Sequence, residues 1–331
     1  MKADPQQRLD ELSAGYQNAV ILLTANHLGV FPALAAGPRV AADLASELGL
    51  DARALETTLL ALAAEGILSQ ARGTFCLAPD FAPLLLPGGS QSRASIMEHN
   101  YHLLRRWVGL DEVLRTGRPA ADTQRPRDGT QLRAFICGMA DISRQSSEEV
   151  ARKLDLSPFN RLLDVGGGPG TAAITFALRY PQLRCVVYDL PEVVPIAREE
   201  IARAKLEERV ATVAGDFLED PLGSGFDILY VSNIIHSQSV GQTAALFGRC
   251  REALVAGGTV VVKDFFLDDS RVEPASAARF SVNMLVGTAE GKSYTLDETR
   301  ELLADAGFGD FRVVTVARAS ALLVGRRGPS A

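Results

Sequence analysis

Asp189 closes an apolar run, residues 184–188, a short way downstream of the stretch Asp164-Val165-Gly166-Gly167-Gly168-Pro169-Gly170. A carboxylate at the tip of a strand is placed to accept hydrogen bonds from the hydroxyls of a nucleotide ribose. A glycine loop ahead of a helix can bend sharply and let a ligand approach the backbone. Gly166, Gly168 and Gly170 have the spacing G-x-G-x-G, whereas the dinucleotide fingerprint is G-x-G-x-x-G. The third glycine comes one residue early, and Pro169 stiffens the turn. A structural turn in some other α/β protein is the competing reading of the loop alone. His236 stands beyond an apolar run, 227–232; an imidazole there could accept a proton near neutral pH, or merely line a pocket. His99 and His102 are three apart on a helix and could share a metal ion. No third ligand is evident nearby, so a polar surface or pocket wall competes, and no metal is expected.

The elements that must position these groups follow from hydrophobic period and turn residues. Residues 161–165, 184–188, 210–213, 227–232 and 259–263 read as strands. Residues 171–180, 192–204, 243–254 and 296–306 read as helices. Thr295 with Glu298 forms a capping box, and Gly307 ends the last of these helices. Alternation of the two types implies an α/β fold with a parallel, doubly wound sheet. Two closing strands, 311–316 and 320–324, add a terminal antiparallel hairpin that the dinucleotide fold lacks. Gly215-Asp216-Phe217 ends the third strand, where ligand groups gather in open α/β sheets.

Upstream, residues 7–30, 41–48 and 51–64 read as helices, and 66–68 with 74–77 as a small hairpin. Helix, turn, helix and hairpin form a winged-helix pattern. The would-be recognition helix, 51–60, offers one arginine against Asp51 and Glu56. A major-groove helix needs several cationic or amide side chains, so no nucleic acid partner is expected. A Pro-, Gly- and Arg-rich loop, 117–130, leads to a helix over 131–153.

The chain of 331 residues, 47% hydrophobic and with net charge −6, has material for two domains and no strongly basic face. Its longest early apolar run, 19–23, is too short for a bilayer. The polar start leads into no signal-peptide core. Cys76, Cys137, Cys185 and Cys250 are widely separated. Reduced thiols in a cytoplasmic protein with no membrane partner are therefore expected.

The run Asp164 to Gly170 followed by Asp189-Leu190-Pro191 resembles the cofactor site of class I S-adenosylmethionine-dependent small-molecule O-methyltransferases, of the plant caffeate and hydroxyindole type and their bacterial relatives. That resemblance implies a Rossmann-like methyltransferase sheet over 118–331. It also implies a mainly helical winged-helix dimerisation domain over 1–117, hence a homodimer. S-adenosylmethionine would be held by Asp164, Gly166, Gly168, Gly170, Asp189, Leu190, Ser232 and Ser143, with Asp216 accepting from the adenine amine and Phe217 packing on its ring. Gly138-Met139-Ala140-Asp141-Ile142-Ser143 is similar to a G-M-x-D-x-S segment of the plant enzymes, which puts Met139 on an aromatic substrate. Asn233 and Thr288 would join it. His236 matches the general base of an H-D-W-S-D segment, with Ser237 and Gln238 replacing Asp and Trp. The two acids flanking that base map to Asp264 and to Ser293, where no carboxylate remains. The activity implied is methyl transfer to a small aromatic hydroxyl. C- or N-methylation, a non-methylating reaction on the same cofactor, and a winged-helix ligand-sensing regulator are the alternatives.

Overall fold

The computed structural model describes residues 4–89, 91–119, 129–316 and 320–328. The chain forms two compact units, 1–105 and 106–331.

In the first unit, the expected helix over 7–30 is two helices, Pro5–Ala14 and Tyr16–His27, parted at Gly15. The helices Ala41–Leu48 and Ala52–Ala64 follow, parted by Gly49 in the left-handed conformation. The second of these buries Leu55, Leu59 and Leu62, one stripe at helical spacing, and Asp51 caps it by accepting the Ala54 N–H at 2.8 Å. Three short strands, β1 (Arg39–Val40), β2 (Leu68–Ala71) and β3 (Thr74–Leu77), pair antiparallel in the order β1-β3-β2. Phe31, Leu44, Leu59 and Phe75 fill the core between them. On the helix that starts at Ala94, Glu98 and His102 meet His27 from the end of the helix Tyr16–His27. A shared ion for His99 and His102 is weighed from sequence and not expected; the chain brings His27 to the Glu98–His102 face, across 75 residues of sequence that no local pattern spans.

The second unit is built on a seven-stranded sheet. Its strands are β4 (Arg161–Val165), β5 (Arg184–Asp189), β6 (Val210–Ala214), β7 (Phe226–Ser232), β8 (Leu254–Asp264), β9 (Phe308–Val316) and β10 (Ser320–Arg327), in the order β6-β5-β4-β7-β8-β10-β9. The first five are parallel, and β10 runs antiparallel to both β8 and β9. The doubly wound sheet and its terminal hairpin are thus as expected. Alternate residues serve opposite faces. Leu162, Ile228 and Tyr230 pack with Phe176 and Ile201 of the helices Thr171–Arg179 and Val194–Arg203. Leu163, Leu229 and Val231 pack with Phe247 and Leu303 of the helices Val240–Ala253 and Leu296–Asp305.

Two differences from the sequence reading matter for the site. The strand expected over 259–263 begins earlier, at Leu254, and Gly257-Gly258 is an irregularity inside β8, where pairing with β7 shifts between Phe226↔Leu254 and Ile228↔Thr259. Gly257 takes φ 72° there, a left-handed turn that extends the strand back to Leu254 rather than starting it. A helix at Ala275–Gly287, unforeseen, lies between β8 and the helix Leu296–Asp305 in the chain.

Candidate active site

Strand order reverses between β4 and β7, the switch point at which open α/β sheets bind ligands outside their carboxyl ends. The glycine loop leaves β4 at this point. Its Gly166 and Gly167 amides donate to the Tyr188 carbonyl of β5 at 2.8 and 3.3 Å, and the Gly170 amide turns back to the Gly167 carbonyl at 2.9 Å. Gly166, Gly168 and Gly170 have φ of 62°, 56° and 76°, values that explain why side chains are absent there. A Cβ on Gly168 would meet nothing within 4 Å, so the loop faces open space at this residue.

Asp189 ends β5 beside that opening. Its Oδ2 accepts the Gly168 N–H at 2.7 Å and its Oδ1 accepts the Leu190 N–H at 2.8 Å. Each oxygen keeps a lone pair for a second donor. Burial raises the Asp189 carboxyl above its ordinary value, against the two amides that hold it down. Leu190 packs with Ile136, Val193 and Ile196, an apolar patch beside the carboxylate.

Asp164 occupies a core position of β4 that the alternation assigns to the face of the helix Thr171–Arg179. It accepts the Ala173 N–H of that helix, while its Oδ2 is buried without a partner among the described residues. Burial, with the Asp189 charge adding to it, pushes the Asp164 carboxyl up to about 7.

At the tip of β6, Asp216 Oδ1 accepts the Leu218 N–H at 2.8 Å, which fixes the turn. The Phe217 ring and Ile234 close on the loop from the other side: a Cβ on Gly166 would stand 3.5 Å from Phe217 and 2.4 Å from Ile234. The tips of β4, β6 and β7 therefore converge on Gly166. Ser232, the last residue of β7, hydrogen-bonds the buried Tyr230 phenol.

Beyond β7 the chain turns through Asn233, whose φ of 58° redirects it into a short 3₁₀ turn, Ile235–Ser237. The Asn233 amide donates to the Lys263 carbonyl at 2.8 Å, and its side-chain oxygen accepts from Lys263 Nζ at 3.3 Å. This carries His236 to Asp264 at the end of β8, with Nδ1 2.7 Å from Asp264 Oδ1. When the carboxylate is ionised it can only accept, and a neutral imidazole then carries its proton on Nδ1 and leaves Nε2 a lone pair. The Phe265 N–H also donates to Asp264 Oδ1 at 2.8 Å, which fixes the carboxylate. Phe280, from the unforeseen helix, meets the imidazole edge to face with centroids 4.7 Å apart, and Phe265 lies 4.7 Å from Phe280. The His236 side chain is only 12% exposed inside this apolar collar.

The replacements at 237 and 238 serve the turn itself. Ser237 Oγ donates to the Ile234 carbonyl at 2.8 Å and accepts from Gln238 at 2.9 Å. Ser293 is buried and donates to the Ala277 carbonyl at 3.0 Å, tying its loop to the helix Ala275–Gly287. Thr288 donates to Met284 at 2.8 Å and accepts the Gly291 N–H at 2.9 Å, so its hydroxyl pins the same loop. Met139 and Ser143 lie part-exposed on the helix Gly129–Lys153, where Ser143 Oγ faces the Ala140 carbonyl at 3.5 Å. Phe280, Phe265 and Lys263 escaped the sequence reading. Lys263 had a signal: a lysine ending an all-valine buried run must find a partner, and here burial lowers its ammonium pKa while Asn233 receives it.

The profile of the O-methyltransferase domain matches residues 116–309. The chain is 34% identical over 93% of its length to 3-hydroxy-5-methyl-1-naphthoate 3-O-methyltransferase of Streptomyces sahachiroi, covering 91% of that protein. It is 30% identical over 90% of its length to the N,N-dimethyltransferase OxyT of Streptomyces rimosus, covering 89% of it. Human N-acetylserotonin methyltransferase, solved in complex with SAM, superposes with a TM-score of 0.89 at 26% identity, over 99% of both chains.

Proposed function

The chain belongs to the O-methyltransferase family, and from that membership we propose that His236 takes the proton from a small aromatic hydroxyl as that oxygen is methylated. The protein is an S-adenosylmethionine-dependent methyltransferase. The observation that carries the base assignment is the 2.7 Å contact of His236 with Asp264 at the end of β8, on the ligand side of the sheet.

The residues present suit the cofactor. The opening at Gly168 admits a ligand against the backbone, and Asp189 holds two carboxylate oxygens with spare lone pairs toward ribose hydroxyls. Leu190 and Phe217 offer apolar faces, and Asp216 keeps Oδ2 for an exocyclic amine. Gly166, Gly170 and Asp164 shape the loop, and Ser232 and Ser143 complete the proposed binding set. When bound, the cofactor supplies an electrophilic methyl group on a sulfonium.

The protein's own work is positioning and proton removal. His236 Nε2 accepts the hydroxyl proton, the imidazole becomes cationic, and Asp264 faces the new charge across Nδ1. Phe265 and Phe280 exclude water and give a flat acceptor two ring faces. Met139, Asn233 and Thr288 are the further acceptor-side residues of this reading. In-line alignment carries much of the rate, since the electrophile arrives activated.

A second reading is N-methylation. OxyT, a relative at 30% identity, is an N,N-dimethyltransferase, and Ser293 supplies no second carboxylate to the base. Incubation of the protein with S-adenosylmethionine and hydroxynaphthoate, hydroxyindole or arylamine acceptors, with product mass and methyl position determined, tests the choice. An O-methyl ether supports the proposal; N-methyl product alone overturns it.

We also propose that the chain is a homodimer joined through its first domain, residues 1–117 of the winged-helix reading. The support is the row of apolar residues left exposed there, with Leu9 67%, Leu12 63% and Tyr16 63% exposed. Four unpaired cysteines support a cytoplasmic, reducing location.

A further inference from the structure

His27, Glu98 and His102 form a cluster that methyl transfer does not use. We propose that it is a binding site for a single divalent transition ion of the zinc class, formed within the first unit. His27 Nδ1 stands 2.8 Å and His102 Nε2 3.1 Å from one and the same oxygen, Glu98 Oε1. All three ligand atoms lie within 4.8 Å of one another.

The donor set is two imidazole nitrogens and one carboxylate oxygen, which zinc prefers and hard cations such as magnesium do not. Metal–ligand bonds of about 2.0–2.1 Å in a tetrahedron give ligand–ligand separations of roughly 3.3 Å. The two short edges open by a few tenths of an ångström and the edge between the imidazole nitrogens, at most 4.8 Å, closes toward the same value, changes within reach of side-chain torsions on a part-exposed site. Glu98 and His102 are four apart on one helix and so project from the same face. His27 is held ready by stacking: its ring lies 3.9 Å from Tyr101 with planes 13° apart. Such a contact fixes the orientation of a ligating imidazole.

The three side chains are 34%, 26% and 39% exposed, open enough for an ion to enter and for water to complete its coordination. Without an ion, the glutamate accepts from both imidazoles. With one, each ligating nitrogen turns a lone pair to the ion, and the ring keeps its single proton on the other nitrogen, so a neutral ring changes tautomer and only a cationic one releases a proton to solvent. The ion would then tie the helix Tyr16–His27 to the one bearing Glu98 within this unit.

The test is a cobalt(II) titration of the full-length protein after chelation and removal of the chelator. One equivalent should give the visible ligand-field absorption of low-coordinate nitrogen and oxygen ligation, without thiolate charge transfer. Calorimetry with zinc should show one site per chain, weakened at least tenfold in His27→Gln, Glu98→Gln and His102→Gln, and retained in His99→Gln. No ligand-field band in the wild type at one equivalent overturns the proposal, whatever the variants do. So does a thiolate charge-transfer band, or zinc affinity unchanged in folded His27→Gln and His102→Gln.

Discussion

Gly167 lies against Asp164 so closely that a Cβ on the glycine would stand 2.8 Å from the Asp164 carboxyl carbon and oxygen. The loop and the buried acid therefore form one packed unit, and the acid's protonation bears on stability. Its carboxyl is pushed from 3.8 up to about 7 by burial. Between those values the native protein binds a proton that the unfolded chain has released. Stability then falls as pH rises from about 4 to about 7 and levels off above, by on the order of 4 kcal/mol from this group. In Asp164→Asn that part of the slope should vanish. Denaturant unfolding across this range reads it, and parallel wild-type and variant profiles would refute the assignment.

Asp189→Ala should weaken S-adenosylhomocysteine binding by about tenfold or more, because charge-assisted hydrogen bonds contribute about 1.5–3 kcal/mol each. The variant also frees the Gly168 amide from its 2.7 Å anchor. Calorimetry that gave wild-type affinity would remove Asp189 from the cofactor site.

His236→Gln should keep cofactor affinity and lower turnover about 10²–10⁴-fold, the usual worth of a general base. Asp264→Asn should cost less, since the acid works through the imidazole, and it should alter the pH profile of turnover more than cofactor affinity. Near-full activity of His236→Gln on the true acceptor would mean that the nucleophile needs no base, as an amine or a preionised oxygen would not.

Light scattering of the full-length chain should give twice the monomer mass at micromolar concentration. Leu9→Glu combined with Leu12→Glu should shift it toward the monomer, as charges placed on a buried apolar patch are costly. A monodisperse wild-type monomer would refute the dimer.

Much of the catalytic half was legible because its signals are local. The strand–glycine loop–helix run, the Asp189 tip and the Thr295–Glu298 capping box each lie within a few residues, and each is where the reading placed it. The helix Ala275–Gly287 was not legible: it begins after Pro274 without a side-chain cap, and only three of its residues, Ala277, Met284 and Val286, are buried. Its weak stripe gave no periodic signal, so Phe280 went unseen beside His236. The capping box of Ser239 with Gln242 was overlooked, and the helix it starts was placed three residues late. His27 could not be joined to Glu98 from sequence, because that contact is made by tertiary packing alone.

The reversal of strand order between β4 and β7 has an evolutionary consequence. The tips of β4, β5 and β6 carry the glycine loop, Asp189 and Asp216, whereas His236 and Asp264, the pair proposed to handle the proton, hang from β7 and β8 across the seam. Under the proposed assignment, drift on the β7–β8 side would exchange one acceptor for another, or oxygen for nitrogen, and leave the proposed methyl-donor side intact. The fold in this way behaves as a fixed socket beside an interchangeable tool, and relatives that methylate different atoms can share it.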